Sequence, residues 1–318
     1  MFVCPSCKNS FMKSMDRNVF KCINDQCKLY NYSFPSVNNK PILIPFGESE
    51  CIFEKSKISS FYNLGSKKRN SSSKIRDIKN TLKKIIMGVN NKSIENFKYL
   101  EKKINNKTKI LIIGGGIIGN GSIDFYEKFK KEEIKLQAID IYDSENITAI
   151  ADAHYLPFSD ESFDLVIIQA VLEHVLNPKK VVKEIFRVTN NNGIIYAETP
   201  FMQSVHEGPF DFSRFTHSGH RYLFKDFIEI NSGYINGAFS SILFITSHSL
   251  AGLFRSKLIG LLIRIFFSRI SKSLDVLIGK KWNNDVACGC YFIGKKKKII
   301  KKSNSPSWII DYYKGAQK

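Results

Sequence analysis

From residue 109 onward, short apolar runs alternate with segments whose apolar positions recur at helical spacing. The runs are 109–113, 134–141, 163–170 and 193–199. Between the third and fourth lies the segment 178–189, where Val181, Val182, Ile185, Phe186 and Val188 fall mainly on one helical face. Strands buried on both sides read as continuous apolar runs, so this alternation predicts a parallel sheet with helices on both faces. After Pro200 a polar and aromatic insert breaks the pattern to about Phe224. An apolar stretch dotted with cations follows over about 241–280, and a last strand is expected over 285–295.

The first half of the chain has a different texture. Residues 1–50 contain short turns, cysteines and a proline-flanked apolar run at 40–46, and read as a small β domain of their own. Residues 51–106 are polar, with a serine- and lysine-rich link at 65–74 and helical periodicity over 75–87 and 93–104. The α/β domain then occupies 107–300, with a tail over 301–318. The expected fold class is therefore α/β: a doubly wound, mostly parallel seven-stranded sheet preceded by a small β domain.

Composition changes this picture little. The chain has 318 residues, 43% of them apolar, enough for one large domain with an appendage. Lys and Arg outnumber Asp and Glu by 48 to 29, a net +19, which suits nucleic acid, an anionic membrane or a phosphate-bearing substrate. Much of the excess sits in scattered lysine runs such as 294–302, which read as solvated faces. No charged-then-apolar leader opens the sequence and no uncharged apolar run approaches the roughly 18–20 residues of a membrane span, so a cytoplasmic location is expected, with peripheral contact at the inner membrane face as the alternative.

The run 109–113 leads into a glycine cluster whose Gly114, Gly116 and Gly119 fit G-x-G-x-x-G. Such a turn lets backbone approach a ligand, and the helix amides that follow favour a negative group. Asp140 ends the second run, where a carboxylate can accept both ribose hydroxyls of an adenosine. Turn and acid alone fit either a nicotinamide dinucleotide or S-adenosylmethionine.

The stretch 151–175, ADAHYLPFSDESFDLVIIQAVLEHV, separates them. With its Asp-Ala pair, Leu-Pro-Phe turn and Ser-Phe-Asp lead into the next strand, it resembles the class I S-adenosylmethionine-dependent methyltransferases. The resemblance implies that Asp152 and Ala153 sit at the adenine, Asp140 at the ribose, and Gly114 and Gly116 at the methionine end; Gly119, displaced from the family's final glycine, is a further cofactor-binding candidate. The resemblance also places Gln169 beside the cofactor and the segment 169–175 below the sulfonium, with His174 a catalytic candidate. Ile112 departs from the pattern, standing where many members carry an acid.

Cys4, Cys7, Cys22 and Cys27 form two close pairs, a spacing that lets two knuckles present four thiolates to one metal ion. The segment 27–46 resembles the zinc-ribbon-like domain found beside certain methyltransferases, which implies structural zinc. Cys288 and Cys290, two apart on an expected strand, read as one buried face.

The insert after the fifth strand gathers the acceptor-side candidates. His206, Asp211, His217 and His220 join His174 as catalytic candidates, and Glu207, Arg214 and Arg221 are substrate-binding candidates. Its Gly-Pro-Phe-Asp-Phe-x-Arg-Phe-Thr run resembles bacterial methyltransferases of surface-glycan assembly, which implies a glycan-type or small-molecule hydroxyl or amine as acceptor. RNA is the alternative acceptor; an NAD-dependent oxidoreductase or a non-catalytic zinc-binding adaptor are further readings. Residues 249–267 suit a cationic helix at a membrane surface, but Arg255 and Arg269 oppose Lys257 and Arg264, so a helix covering the sheet is expected instead.

Overall fold

The computed structural model describes residues 2–13, 20–47, 50, 91–116, 123–131, 134–297 and 306–317. Gly119, Cys51 and the helical segment expected over 75–87 lie outside the described residues.

Three short strands, β1 (Phe11–Lys13), β2 (Phe20–Cys22) and β3 (Ser33–Phe34), form a small antiparallel sheet carrying the cysteines. β4 (Ser36–Val37) and β5 (Lys40–Leu43) follow as a hairpin. After α1 (Asn91–Glu101) the α/β unit begins with β6 (Lys109–Ile113), α2 (Ile123–Lys131), β7 (Lys135–Asp140), β8 (Ala149–Ala151) and β9 (Phe163–Gln169). It continues through α3 (Pro178–Val188), β10 (Thr189–Pro200), α4 (His217–Leu223) and β11 (Ile228–Tyr234). α5 (Ala238–Leu253), α6 (Lys257–Leu277), α7 (Gly279–Asp285), β12 (Gly289–Lys295) and α8 (Pro306–Asp311) complete it.

The large sheet runs β11-β12-β10-β9-β6-β7-β8-β5-β4. β12 pairs antiparallel with both neighbours; β10, β9, β6, β7, β8 and β5 pair in parallel. Seven of its strands belong to the expected α/β unit. The other two come from the N-terminal hairpin, so nine strands stand where seven are expected. The N-terminal unit thus shares the core: Phe34 and Leu43 pack with Val166, Ile168 and Ala151.

Alternation along β6 explains why the sheet is buried on both sides. Leu111 and Ile113 face the layer that holds α3, while Ile110 and Ile112 face the layer of Phe97 and Phe125 from α1 and α2. Ile112, the departure noted in the sequence, is therefore a core residue. α3 begins as its sequence predicts, with Asn177 capping Lys180 N–H at 3.1 Å and Pro178 at the first turn. The N-terminal unit docks on the Leu156–Phe158 turn, where Val3 N–H donates to Pro157 O (3.0 Å) and Phe2 packs on Phe158.

α5 and α6 do not cover the sheet as expected. They pack mainly on each other and on α7. Their contact is made by small residues: a Cβ at Gly260 would meet Ser247 O at 2.8 Å and Ala251 Cβ at 2.9 Å. Asp275 clasps the base, its carboxylate accepting Gly237 N–H (2.9 Å), Phe239 N–H (2.7 Å) and Ser240 Oγ–H (2.6 Å). The bulky apolar side chains point outward, Leu253 being 73% and Phe266 71% exposed.

α4 carries two histidines and an arginine into the core. His217 reaches Ser232 on β11 at 3.0 Å, and His220 has no exposed surface, lying beside Phe224. Arg221 pairs with Glu229 at 2.8 Å, donates to Tyr312 O and stacks on Trp308, clamping α8 to the sheet edge. Burial holds both imidazoles neutral, each pushed down to about 3. A histidine depressed in the fold takes up its proton only on unfolding, so its stability contribution is full above about pH 6.5 and is lost on acidification. Between about 6.5 and 3 the loss is about 1.4 kcal/mol per pH unit for each residue. Urea unfolding at pH 7.5 and 5.5 checks this: His220→Leu is expected to keep stability at pH 7.5 and to lose less than wild type at pH 5.5. An equal acid loss in both would contradict it.

Candidate functional site

The order of the sheet reverses at β6, whose neighbours β7 and β9 lead in opposite directions along it. Ligands of doubly wound sheets bind in the crevice outside the carboxyl ends of the strands at such a point. The chain leaves β6 through Gly114, whose φ of +80° suits glycine. A Cβ there would meet Val171 Cγ2 at 2.2 Å, and one at Gly115 would meet Ala138 Cβ at 2.9 Å. Bare backbone is thus required where β6 opens between β7 and the turn after β9.

Asp140, at the end of β7, faces this opening. Its Oδ2 accepts Gly116 N–H at 2.8 Å and its Oδ1 accepts Tyr142 N–H at 3.1 Å. Asp152 and Ala153, after β8, are buried. One Asp152 oxygen accepts the His154 backbone N–H (2.8 Å) and lies 2.7 Å from His154 Nδ1. Asn177 N–H donates to His154 Nε2 at 3.1 Å, which puts the ring proton on Nδ1 and fixes the imidazole against Asp152. His154, two residues after Asp152, escaped the sequence reading. Gln169 donates to Glu198 at 2.9 Å, and that carboxyl also accepts Ser93 Oγ–H and Tyr196 O–H; burial raises its pKa. Glu198 was not singled out either; its place at the end of β10 is the signal that marks it.

The strand end at β9 is also strained. Ala170 has φ +50°, a conformation alanine seldom adopts, and its N–H donates to Glu198 O at 3.0 Å. The next turn, Leu172–His174, follows directly on this corner. There Glu173, His174 and His206 meet, with the two imidazole rings edge-to-face at 4.8 Å. His174 Nδ1–H donates to Phe210 O at 2.7 Å. Asp211 accepts the His206 backbone N–H at 2.9 Å and is held by both Arg214 Nη groups, which pull its carboxyl down to about 2.

Of the acceptor-side candidates, the fold brings together His174, His206, Asp211 and Arg214, with Glu207 exposed beside them. It sends His217, His220 and Arg221 into the core on the β11 side, where no surface is left for an acceptor to meet. Those three lie apart from the others: α4 turns their side chains inward while the preceding loop turns His206 outward.

The four N-terminal cysteines converge. Cys4 and Cys27 sulfurs are 3.9 Å apart and those of Cys7 and Cys22 are 3.7 Å apart, with all four within 4.8 Å. These are far beyond a disulfide bond and close to the ~3.8 Å edge of a tetrahedron of thiolates at about 2.3 Å from zinc. The set fits a metal ion. The bare Gly114 turn, Asp140 and Asp152 likewise fit the methionine, ribose and adenine ends of S-adenosylmethionine.

Residues 123–197 match the family model described as a methyltransferase domain. The chain carries a class I S-adenosylmethionine-dependent methyltransferase domain, and is an enzyme of that kind. A search of curated proteins returned no match. Among solved structures, a SAM-dependent methyltransferase from Archaeoglobus fulgidus is 14% identical, over 68% of this chain and 98% of that one, with a TM-score of 0.43. Coclaurine N-methyltransferase bound to N-methylheliamine and S-adenosylhomocysteine is 14% identical, over 77% and 89%, at 0.42. Phosphoethanolamine N-methyltransferase 2 of Haemonchus contortus, in complex with phosphomonomethylethanolamine and S-adenosylhomocysteine, is 15% identical, over 64% of this chain and 53% of that one, at 0.41. Likeness at this level says nothing of the acceptor.

Two substitutions test the cradle by S-adenosylmethionine titration. Asp140→Ala removes a charged acceptor worth about 1.5–3 kcal/mol, so the dissociation constant is expected to rise roughly 10- to 150-fold. Gly114→Val forces Val171 aside and is expected to abolish binding. Wild-type affinity in either variant would remove these residues from the site.

Proposed function

We propose that the enzyme transfers a methyl group from S-adenosylmethionine to a hydroxyl, or an amine, of a glycan-type or small-molecule acceptor carried at a membrane surface. The observation behind the acceptor side is the Glu173, His174, His206, Asp211 and Arg214 group, which stands one turn beyond Val171, the residue that closes on Gly114. Bound S-adenosylmethionine supplies an electrophilic methyl on a positively charged sulfur. The chain's own residues hold the acceptor in line and lower the cost of losing its proton. Arg214 retains an unpaired Nε–H, and Phe212 presents an exposed ring, groups that suit the hydroxyls and apolar faces of a sugar. The four cysteines belong to the same reading as a structural zinc site that stiffens the unit docked on the Leu156–Phe158 turn.

The α5–α6 pair supports the membrane part of the reading. Its packing is inverted for water: serines, glycine and alanine lie between the helices, while Leu253, Phe254, Leu258, Phe266 and Ile270 face outward. Small residues at the helix contact and bulky ones outside are what helices in an apolar medium use. Among the described residues no helix is long and apolar enough to cross a bilayer. Seven Lys and Arg against two Asp occur between residues 238 and 285, so a surface of anionic lipid is the complement. RNA is the alternative acceptor, favoured by the net charge and by the N-terminal cysteine unit.

Incubation with methyl-labelled S-adenosylmethionine, a membrane extract and total RNA tests the reading. Label is expected in a nuclease-resistant, lipid-extractable or small-molecule fraction, and the protein is expected to sediment with vesicles containing phosphatidylglycerol but far less with phosphatidylcholine alone. Leu253→Asn with Phe254→Asn should cut that sedimentation at least tenfold, since each side chain contributes about 1.5–3 kcal/mol on burial. Label confined to RNA would refute the acceptor, and sedimentation unchanged in the double variant would refute the membrane contact.

A further inference from the structure

We propose that Glu173, His174 and His206 bind a divalent transition-metal ion, at a site separate from the cysteines. The proposal deepens the reading of the acceptor side given above and rests on it for its role, though not for its test.

Glu173 has no exposed surface, and among the described residues neither carboxylate oxygen has a hydrogen-bond donor. A carboxylate taken out of water without donors is costly unless a positive charge faces it. What faces it are two imidazole nitrogens. His206 Nε2 is 3.5 Å and His174 Nε2 3.7 Å from the same Oε1, both too long for a good hydrogen bond. Those spacings do match the edges of a coordination shell, about 3.4 Å for ligands held at roughly 2.0–2.2 Å around a tetrahedral ion. All three ligand atoms lie within 4.8 Å of one another.

The far side of the His174 ring is arranged as a ligand's would be, and that of His206 faces a carboxylate. His174 Nδ1–H is committed to Phe210 O at 2.7 Å, so the lone pair is on Nε2, pointing to Glu173. His206 Nδ1 lies 3.5 Å from Asp211 Oδ2, too long for a good hydrogen bond, so the carboxylate, itself anchored by Arg214, faces the ring by charge. An imidazole with its outer nitrogen turned to a carbonyl or carboxylate is the usual outer shell of a metal-bound histidine. The donor set explains three polar groups at once: the orphaned carboxylate, the inward lone pair of His174 and the Asp211–Arg214 pair behind His206.

Two imidazoles and one carboxylate suit zinc, iron, cobalt or manganese better than magnesium or calcium. Three protein ligands leave a position open, and His206, with its side chain 40% exposed, marks the side from which it is reached. An acceptor hydroxyl bound there would have its O–H weakened and lose the proton to water. Its oxygen would then form the bond to the methyl carbon as the carbon–sulfur bond breaks, the electron pair staying on sulfur.

Zinc and then cobalt(II) loading of the full-length protein tests this, with metal per chain from elemental analysis and the cobalt absorption spectrum. Two ions per chain are expected in the wild type. Cys4→Ser with Cys7→Ser should remove one ion together with the thiolate-to-cobalt charge-transfer bands. His206→Ala and Glu173→Gln should each remove the other ion and leave those bands in place. His206→Ala carries the weight, because His206 is part-exposed and its loss should leave the melting temperature near that of wild type. One ion per chain in the wild type, or an unchanged count in His206→Ala, would overturn the proposal. A second ion in an enzyme that labels only RNA would uphold the site and refute the acceptor reading instead.

Discussion

The close approach of Gly114 to Val171 is the contact on which the rest of the site depends. β6 and β9 are parallel neighbours at the point where the sheet order reverses, and their carboxyl ends must part to admit a ligand. A single Cβ at position 114 would fill the gap, as its 2.2 Å distance to Val171 shows. The same corner decides the acceptor side, since Ala170 is held in a left-handed conformation just before Val171 and throws Glu173 and His174 beyond the strand end. The Gly114 turn and the polar cluster are two sides of one corner.

The N-terminal unit is coupled to that turn from the opposite direction. β5 pairs with β8, and the strand end of β8 carries Asp152. Lys8 reaches Glu184 on α3 at 2.8 Å, and Val3 and Phe2 grip the Leu-Pro-Phe turn that follows Asp152. The unit that carries the four cysteines is thereby joined to the turn that holds Asp152 by backbone pairing and by packing.

Much of the fold was legible because a sheet covered on both faces leaves continuous apolar runs. Residues 109–113 match β6, and the Asp-Ala and Leu-Pro-Phe motif marked the turns around β8. The two N-terminal strands in the sheet were not legible: 40–46 is apolar enough for an edge strand, but nothing local says which sheet it joins. α5 and α6 were misread for a related reason. Their apolar positions lie on more than one side, and periodicity gives the period of a helix without saying whether protein or another medium covers it. Within the insert, His206, His217 and His220 look alike in sequence. Only the start of α4 at His217 separates the exposed loop histidine from the two that turn into the core.

Calorimetric titration of the full-length protein with S-adenosylmethionine and, in parallel, with NAD addresses the central claim most directly. One site per chain with a dissociation constant of about micromolar order for S-adenosylmethionine, and no heat with NAD, is the predicted result. Saturable binding of NAD with none of S-adenosylmethionine would contradict the assignment of the Gly114 turn and everything built upon it.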